Sequence, residues 1–267
     1  MRKILGMVAA LLLVASTAFA ETAIKVDGST TVLPIMQKIV EAYMKAHPDV
    51  KISVSGGGSG NGIKALIDGA TDVAMASRAM EPKEIELAKS KNVNPNQIVC
   101  AIDAIVPIVN PANKLSAVTV AQLKELFMGK ITSWKDLGAE GPVVVVSRDT
   151  SSGTYETWEG MVMKKERVFP GAMMQASNGA VVQTVSKNKN AIGYVGLGYL
   201  DASTKPLTVD GIVATAETAK SKKYPISRDL YLYTNGAPAG AVKGLIDFVL
   251  SAEGQKLVKE TGFVPLN

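Results

Sequence analysis

Histidine and cysteine each occur only once in the 267 residues. A Ser-His-Asp arrangement needs an imidazole beside the nucleophile, and a zinc-type site usually draws on several His or Cys ligands. His47 precedes Pro48 at the end of a helix-like stretch, far from any motif, and reads as a surface residue at a helix terminus. Cys100 lies inside the apolar IVCAIDAIVPIV and reads as a buried core thiol with no second cysteine to pair with. Neither residue supplies a catalytic or metal-binding cluster. A serine–lysine hydrolase is the hydrolytic arrangement that this composition still permits.

Long apolar runs are missing after position 20. No later stretch approaches the roughly 18 apolar residues needed to cross a bilayer. The first twenty residues, MRKILGMVAALLLVASTAFA, differ: Arg2 and Lys3 precede an apolar run that ends in Ala18-Phe19-Ala20. That order is a secretory signal peptide with a small-residue cleavage site. It predicts a mature chain that starts near Glu21 and a soluble, periplasmic product. No cysteine follows the signal, so none is placed for lipid attachment.

Dense basic runs are missing as well. The 29 Lys and Arg against 24 Asp and Glu give a formal charge of +5; loss of Arg2 and Lys3 with the signal leaves 27 against 24, or +3. This excess is spread along the chain, which disfavours a nucleic-acid partner and remains compatible with a small anion.

What the chain does have is a regular alternation. Strand-like AIKV, KISVS and DVAMA are separated by helical stretches, one opened at Pro34 with Ile35, Ile39, Val40 and Tyr43 at helical spacing, another with Pro82 in its first turn. This order predicts an α/β protein with a largely parallel sheet. IVPIVN at 105–110 is interrupted by Pro107 and reads as an edge or crossover segment, the first passage between two lobes. A second α/β set follows, with VAQLKELFMG, PVVVVS, a helix from about Tyr155, and AIGYVG. YPISRDLYLYT is expected to be a strand, and AVKGLIDFVLSAEGQKLV the final helix. The expected lobes are 21–105 plus 206–267, and 106–205.

Three loops share one design: GSTT at 28–31, GGGSGNG at 56–62 and RDTSSGT at 148–154 each follow a strand and open a helix. Helix N-termini carry unpaired N–H groups and favour anions, and in parallel α/β sheets ligands gather at the carboxyl ends of strands. Ser and Thr are also ordinary helix caps, so each loop alone is weak. GGGSGNG lacks the lysine and hydroxyl that end a nucleotide P-loop. Arg78 and Arg148, both at strand ends, add planar forks of donors suited to a tetrahedral oxyanion; the bland alternative for either is a bridge to a carboxylate.

Taken together, GSTT, GGGSGNG, ASR, RDTSSGT, IGYVGLGY and LFMGKITSWKDLG resemble the phosphate-binding proteins of bacterial phosphate ABC transporters. The resemblance implies a two-lobed (type II) periplasmic binding protein, with a ligand cleft between lobes joined by crossover strands. It implies binding of one dehydrated phosphate and delivery to a membrane permease, with no catalysis and no cofactor; a monomer is expected. By motif, Ser29 and Thr30 would donate hydroxyls, Thr31 a backbone N–H and Ser59 a hydroxyl. Arg148, Ser152, Gly153 and Thr154 match an arginine-then-SGT motif, which makes Ser152 a donor rather than a nucleophile. Arg78 stands where some relatives carry an aspartate that accepts the phosphate proton, so that carboxylate must come from elsewhere, with Asp149 and Asp27 as candidates. The rival readings are a receptor for sulfate, molybdate or tungstate, and a secreted phosphohydrolase acting through Ser151 or Ser152.

Overall fold

The computed structural model describes residues 22–267, so the expected signal peptide lies outside the described residues. Three strand–helix units open the chain: β1 (Thr22–Gly28), α1 (Leu33–Ala46), β2 (Val50–Gly56), α2 (Ser59–Ile67), β3 (Val73–Ala76) and α3 (Pro82–Ser90). α1 carries Pro34 in its first turn, where a missing N–H leaves no bond unmade, and buries Ile35, Met36, Ile39, Val40 and Tyr43 along one face. α3 starts with a reciprocal cap between Glu81 and Glu84.

β4 (Pro95–Val109) is a single 15-residue strand. It is followed by β5 (Ala117–Val118), α4 (Val120–Phe127), β6 (Val144–Arg148), α5 (Gly153–Met161), β7 (Met173–Gln175), α6 (Asn178–Lys187) and β8 (Ala191–Gly196). β9 (Lys205–Pro206), β10 (Thr208–Val209), α7 (Ala216–Lys220), β11 (Ser227–Asn235), α8 (Gly240–Leu250) and α9 (Ala252–Glu260) complete the chain. The last helical stretch, expected as one helix, is two. Ser251 adopts an extended conformation (φ −66°, ψ 164°), and its hydroxyl accepts from Gly254 N–H, ending α8 and capping α9.

One curled sheet runs through the molecule in the order β2-β1-β3-β11-β4-β8-β6-β7, with β9 also on β4. β1 pairs in parallel with β2 and β3, and β11 runs antiparallel between β3 and β4. β4 belongs to both halves: residues 95–104 pair with β11, and 105–109 pair with β8. Pro107 therefore lies in the crossover strand, but not on an edge. It faces Tyr194 of β8, and its carbonyl accepts from Leu207 N–H at 2.9 Å.

Each half has its own core. In the first, α1, α8 and α9 cover one face of the sheet through Ile35, Ile39, Leu245 and Val249 against Ile24, Val26 and Leu230, while Ile63, Leu66 and Ile67 of α2 cover the other with Ala74 and Tyr233. Cys100 is buried in this first core, and burial pushes its thiol up to about 12. The second core gathers Phe127, Trp134, Trp158 and Tyr194, with Val181 and Val185 of α6 on the opposite face. Leu207, Val209, Ala219, Tyr224 and Ile226 pack into this second core too. The return segment from 206 to 226, expected in the first lobe, thus packs with the second, and the chain crosses back where β11 begins.

His47 sits at the end of α1 and stacks on Tyr43 with ring centroids 4.2 Å apart.

Candidate functional site

The carboxyl ends of β1, β2, β3 and β6 open into one region where the N-termini of α1, α2, α5 and α6 meet. The residues there are polar and deeply buried: Ser29, Thr30, Thr31, Ser59, Ser77, Arg148, Ser152, Thr154, Asn178 and Arg228 are each at most 6 % exposed. Burying this many polar groups is costly unless they bond to one another or to a ligand.

Arg148 is 1 % exposed. The second core aims it: Trp158 stacks on Tyr194 at 4.2 Å, and the Tyr194 hydroxyl accepts from the Arg148 N–H at 3.3 Å. Its Nε donates to Gln175 O at 2.9 Å, and its Nη2 donates to Ala176 O at 3.0 Å and Thr30 Oγ1 at 3.2 Å. None of these partners is a carboxylate, and the buried Nη1 has no partner. Burial pulls the Arg148 pKa below its ordinary value, yet a guanidinium stays protonated. A buried cation with a spare pair of donors and no hydrogen-bonded carboxylate is a strong attractor for an anion.

Sequence reasoning missed a second buried arginine. Arg228, in β11, donates from Nε and Nη2 to Asp103 Oδ2 at 2.9 and 2.7 Å, from Nη1 to Ser77 O at 3.1 Å, and from Nη2 to Thr154 Oγ1 at 3.0 Å. Asp103 is fully buried, and its Oδ1 accepts from Leu197 N–H at 2.9 Å. Burial pushes Asp103 up and Arg228 down, each held in check by the other. Among the described residues Asp103 is the one buried acid, with Arg148 and Arg228 the buried arginines. The signal was an acid inside the apolar IVCAIDAIVPIV, since a charge within a buried strand demands a partner. Nothing local marked the arginine of YPISRDLYLYT as that partner.

Arg78 does not join this cluster. Its Nη1 and Nη2 donate to the two Glu84 oxygens at 2.7 and 2.8 Å, and its Nε donates to Glu156. Burial works against its charge, but the two carboxylates outweigh it and hold its pKa above the ordinary value. The carboxylate-bridging alternative is the one the geometry supports, and the expected anion donor is corrected accordingly. Asp27 and Asp149 also stand apart: Asp27 accepts from Ser55, and Asp149 accepts from Ser151 N–H at 2.9 Å. Both are only partly buried, and neither hydrogen-bonds to the arginines, although the Asp149 charge, next in the chain, favours protonated Arg148.

The loop residues bond mostly to one another. Ser29 Oγ accepts from Thr31 N–H at 3.1 Å and Val32 N–H at 3.4 Å. Thr31 N–H is therefore turned toward Ser29, not free as expected, and it is the Thr31 hydroxyl that meets Thr154 Oγ1 at 2.8 Å. Ser59 Oγ accepts from Ser77 N–H at 3.0 Å and lies 3.2 Å from Ser77 Oγ. Ser152 caps α5 by accepting from Tyr155 N–H at 3.3 Å. Gly153 permits close approach of the halves, because a Cβ there would lie 2.4 Å from Ser59 Oγ and 2.8 Å from Ser77 Oγ. Gly58 (φ +102°) does the same against Ser151, whose carbonyl accepts from Gly60 N–H at 3.0 Å.

The hydroxyls of Ser29, Thr30 and Ser152 each accept at least one bond, and none has a protein acceptor for its own hydrogen among the described residues. Arginine forks, surplus hydroxyl donors and helix N-termini in one dry region form a receptor for an oxyanion. No group of His, Cys, Asp or Glu that could hold a metal ion occurs among the described residues.

Comparison with known proteins agrees with this chemistry. Residues 14–253 match a PBP superfamily domain. The phosphate-binding protein PstS of Borreliella burgdorferi is 32 % identical over 91 % of this chain and 90 % of its own, and that of Staphylococcus saprophyticus is 33 % identical over 92 % and 81 %. A Clostridium perfringens protein solved with bound phosphate superposes with a TM-score of 0.87 at 33 % identity, covering 92 % of this chain and all of that one. An ABC-type phosphate transport receptor from Vibrio cholerae gives 0.74 at 31 % identity, over 90 % and 99 %.

Proposed function

From the premise that the chain belongs to the phosphate-binding proteins of the PBP superfamily, we propose that it is a periplasmic receptor that takes up inorganic phosphate between its halves and delivers it to an ABC-type permease. The observation that carries this reading is Arg148: a guanidinium 1 % exposed, with a free Nη1 and no carboxylate partner. The donors assigned to phosphate are Arg148 and Arg228 with Ser29, Thr30, Ser59, Ser152 and Thr154. Gly153 contributes the close approach its missing side chain allows. Export with cleavage after Ala20 and action as a monomer complete the proposal.

Asp103 is our assignment for the carboxylate that faces the proton of phosphate, in place of Asp27 or Asp149, because it alone is buried with the arginines. A fully ionised sulfate or molybdate has no proton to offer, and leaving a buried acceptor unmatched can cost a factor of ~10⁴. Hydrolysis of a phosphate ester finds less support, since Ser152 is a helix cap and the relatives are binding proteins for transport.

Calorimetric titration of the purified protein with phosphate, sulfate and molybdate tests the reading. One-to-one binding of phosphate with weak or no heat from the other two is expected. Equal or tighter binding of sulfate would overturn the phosphate assignment.

A further inference from the structure

Asn178, the first residue of α6, is fully buried and was not singled out by any sequence motif. Its Nδ2 donates to Thr30 Oγ1 at 3.2 Å and to Thr31 Oγ1 at 3.0 Å, while its Oδ1 accepts from Gly196 N–H at 3.2 Å. A backbone N–H can only donate, so this last bond fixes which end of the amide is oxygen. The amide therefore offers both its hydrogens, and only hydrogens, to the two threonines.

The consequence runs through the hydroxyl network. Thr30 Oγ1 accepts from Asn178 and from Arg148 Nη2 at 3.2 Å, neither of which can reverse. Both of its lone pairs are occupied, and its own hydrogen is left over. Thr31 Oγ1 likewise accepts from Asn178, and it lies 2.8 Å from Thr154 Oγ1 in a contact where either hydroxyl can donate. Thr154 Oγ1 also accepts from Arg228 Nη2 at 3.0 Å, and the other hydrogen of that Nη2 goes to Asp103 Oδ2 at 2.7 Å. Hydroxyls are otherwise free to rotate between donor and acceptor roles. Here an amide on the second half of the molecule sets the direction of a hydroxyl on the first.

We infer that Asn178 is a positioning residue that, with Arg148, locks the Thr30 hydroxyl as a donor, so that this point of the site presents a hydrogen and selects an unprotonated oxygen of the anion. The inference rests on the phosphate reading and deepens it. The ligand's own proton is confined to the side of the site where Asp103 supplies the acceptor.

The test is a double-mutant cycle read by phosphate calorimetry, with melting curves to confirm folding. Wild-type binding establishes the phosphate reading independently; its absence would remove that reading rather than the Asn178 role alone. Asn178→Ala is expected to weaken binding about tenfold, the size of one hydrogen bond to a charged group. In a Thr30→Val/Thr31→Val background the same substitution should weaken binding by less than about twofold, because Asn178 acts through those hydroxyls. Effects that multiply across the cycle would overturn the inference and make Asn178 a direct ligand or a purely structural residue.

Asn178→Asp, of the same shape, keeps the question open to test should the alanine variant fold poorly. A carboxylate accepts where the amide donated and turns both hydroxyls inward. Binding should fall more than about a hundredfold at pH 8 and recover as the pH is lowered toward 5. Affinity within about threefold of wild type at pH 8 would show that shape, not hydrogen direction, is what the position supplies.

Discussion

Arg228 and Asp103, 125 residues apart in the chain, form a buried ion pair in which Nε and Nη2 both donate to Oδ2, at 2.9 and 2.7 Å. The pair joins β11 to the crossover strand β4 beside the hydroxyls of Thr31 and Thr154, so one element serves both the fold and the site.

Breaking this pair from one side is expected to be severe. Asp103→Ala leaves Arg228 charged and buried without its counter-ion, a change that typically costs about 3–5 kcal/mol. Replacing both partners by apolar residues, Asp103→Leu with Arg228→Met, should restore much of that stability and still leave phosphate unbound. Urea unfolding of the single and double variants checks the first part and calorimetry the second. A single variant as stable as wild type would mean that the pair holds nothing in place.

Arg78 links the halves without belonging to the anion site. Its bidentate contact with Glu84 stays within the first half, whereas its Nε reaches Glu156 on α5 of the second. Side-chain exposures of 9 % and 22 % place the Glu156 contact between a surface and a buried pair. Glu156→Gln should weaken phosphate binding by about two- to fivefold, as expected of a pair that contributes up to ~1 kcal/mol, with a smaller effect at high ionic strength. The melting temperature should change little, because Glu84 still holds Arg78. Titrations at low and high salt measure this; an unchanged affinity at low salt would show that the contact does not favour the closed arrangement.

Gly153 lies where the two halves touch. Gly153→Ala would put a methyl group 2.4 Å from Ser59 Oγ, forcing the halves apart by a few tenths of an ångström or more. Phosphate affinity should fall more than about tenfold, given that a misplaced donor forfeits most of its bond. Thermal stability without phosphate should be nearly retained. A variant that binds normally would mean that the site forms without this approach.

Much of the site was legible because its chemistry is local. A strand, a short run of hydroxyls and glycines, and a helix start are contiguous in sequence, so GSTT, GGGSGNG and RDTSSGT could be recognised and Arg148 placed among them. The parts that were not legible are those whose role depends on a distant partner. Arg78 and Arg148 both end strands, yet one meets Glu84 and Glu156 and the other meets only neutral groups, and no local pattern distinguishes them. Asp103 could be suspected from its apolar surroundings, but its partner Arg228 comes from the last strand. Asn178 follows an ordinary cap, Ser177, and acquires its role only because Gly196, Thr30 and Thr31 converge on it. In the fold, alternation and proline placement predicted the elements and the crossover at Pro107. The packing of 206–226 into the second core follows from Tyr224 and Ile226 filling space beside Ile105, which periodicity does not reveal.

Cys100 tests the first core. Burial raises its thiol from 9.0 to about 12, so the folded protein should react negligibly with a thiol reagent at pH 8 and react fully once unfolded by urea. A folded-state pKa above the unfolded value favours the protonated form in the folded protein. The associated stability is present in full below pH 9 and is lost as the pH rises from about 9 toward 12. Rapid labelling of the folded protein at pH 8 would contradict the buried placement.

The central claim is that Arg148 is a buried cation whose counter-ion is the ligand. Calorimetric titration of wild type and Arg148→Ala with phosphate, beside their melting curves, addresses it most directly. Loss of two charge-assisted hydrogen bonds at ~1.5–3 kcal/mol each should weaken binding by at least about a hundredfold, with Arg148→Lys recovering only part because an ammonium lacks the planar fork. Removing a buried charge with no hydrogen-bonded carboxylate should leave the melting temperature of the free protein unchanged or raised. An Arg148→Ala protein that melts early and binds phosphate as wild type does would contradict the account.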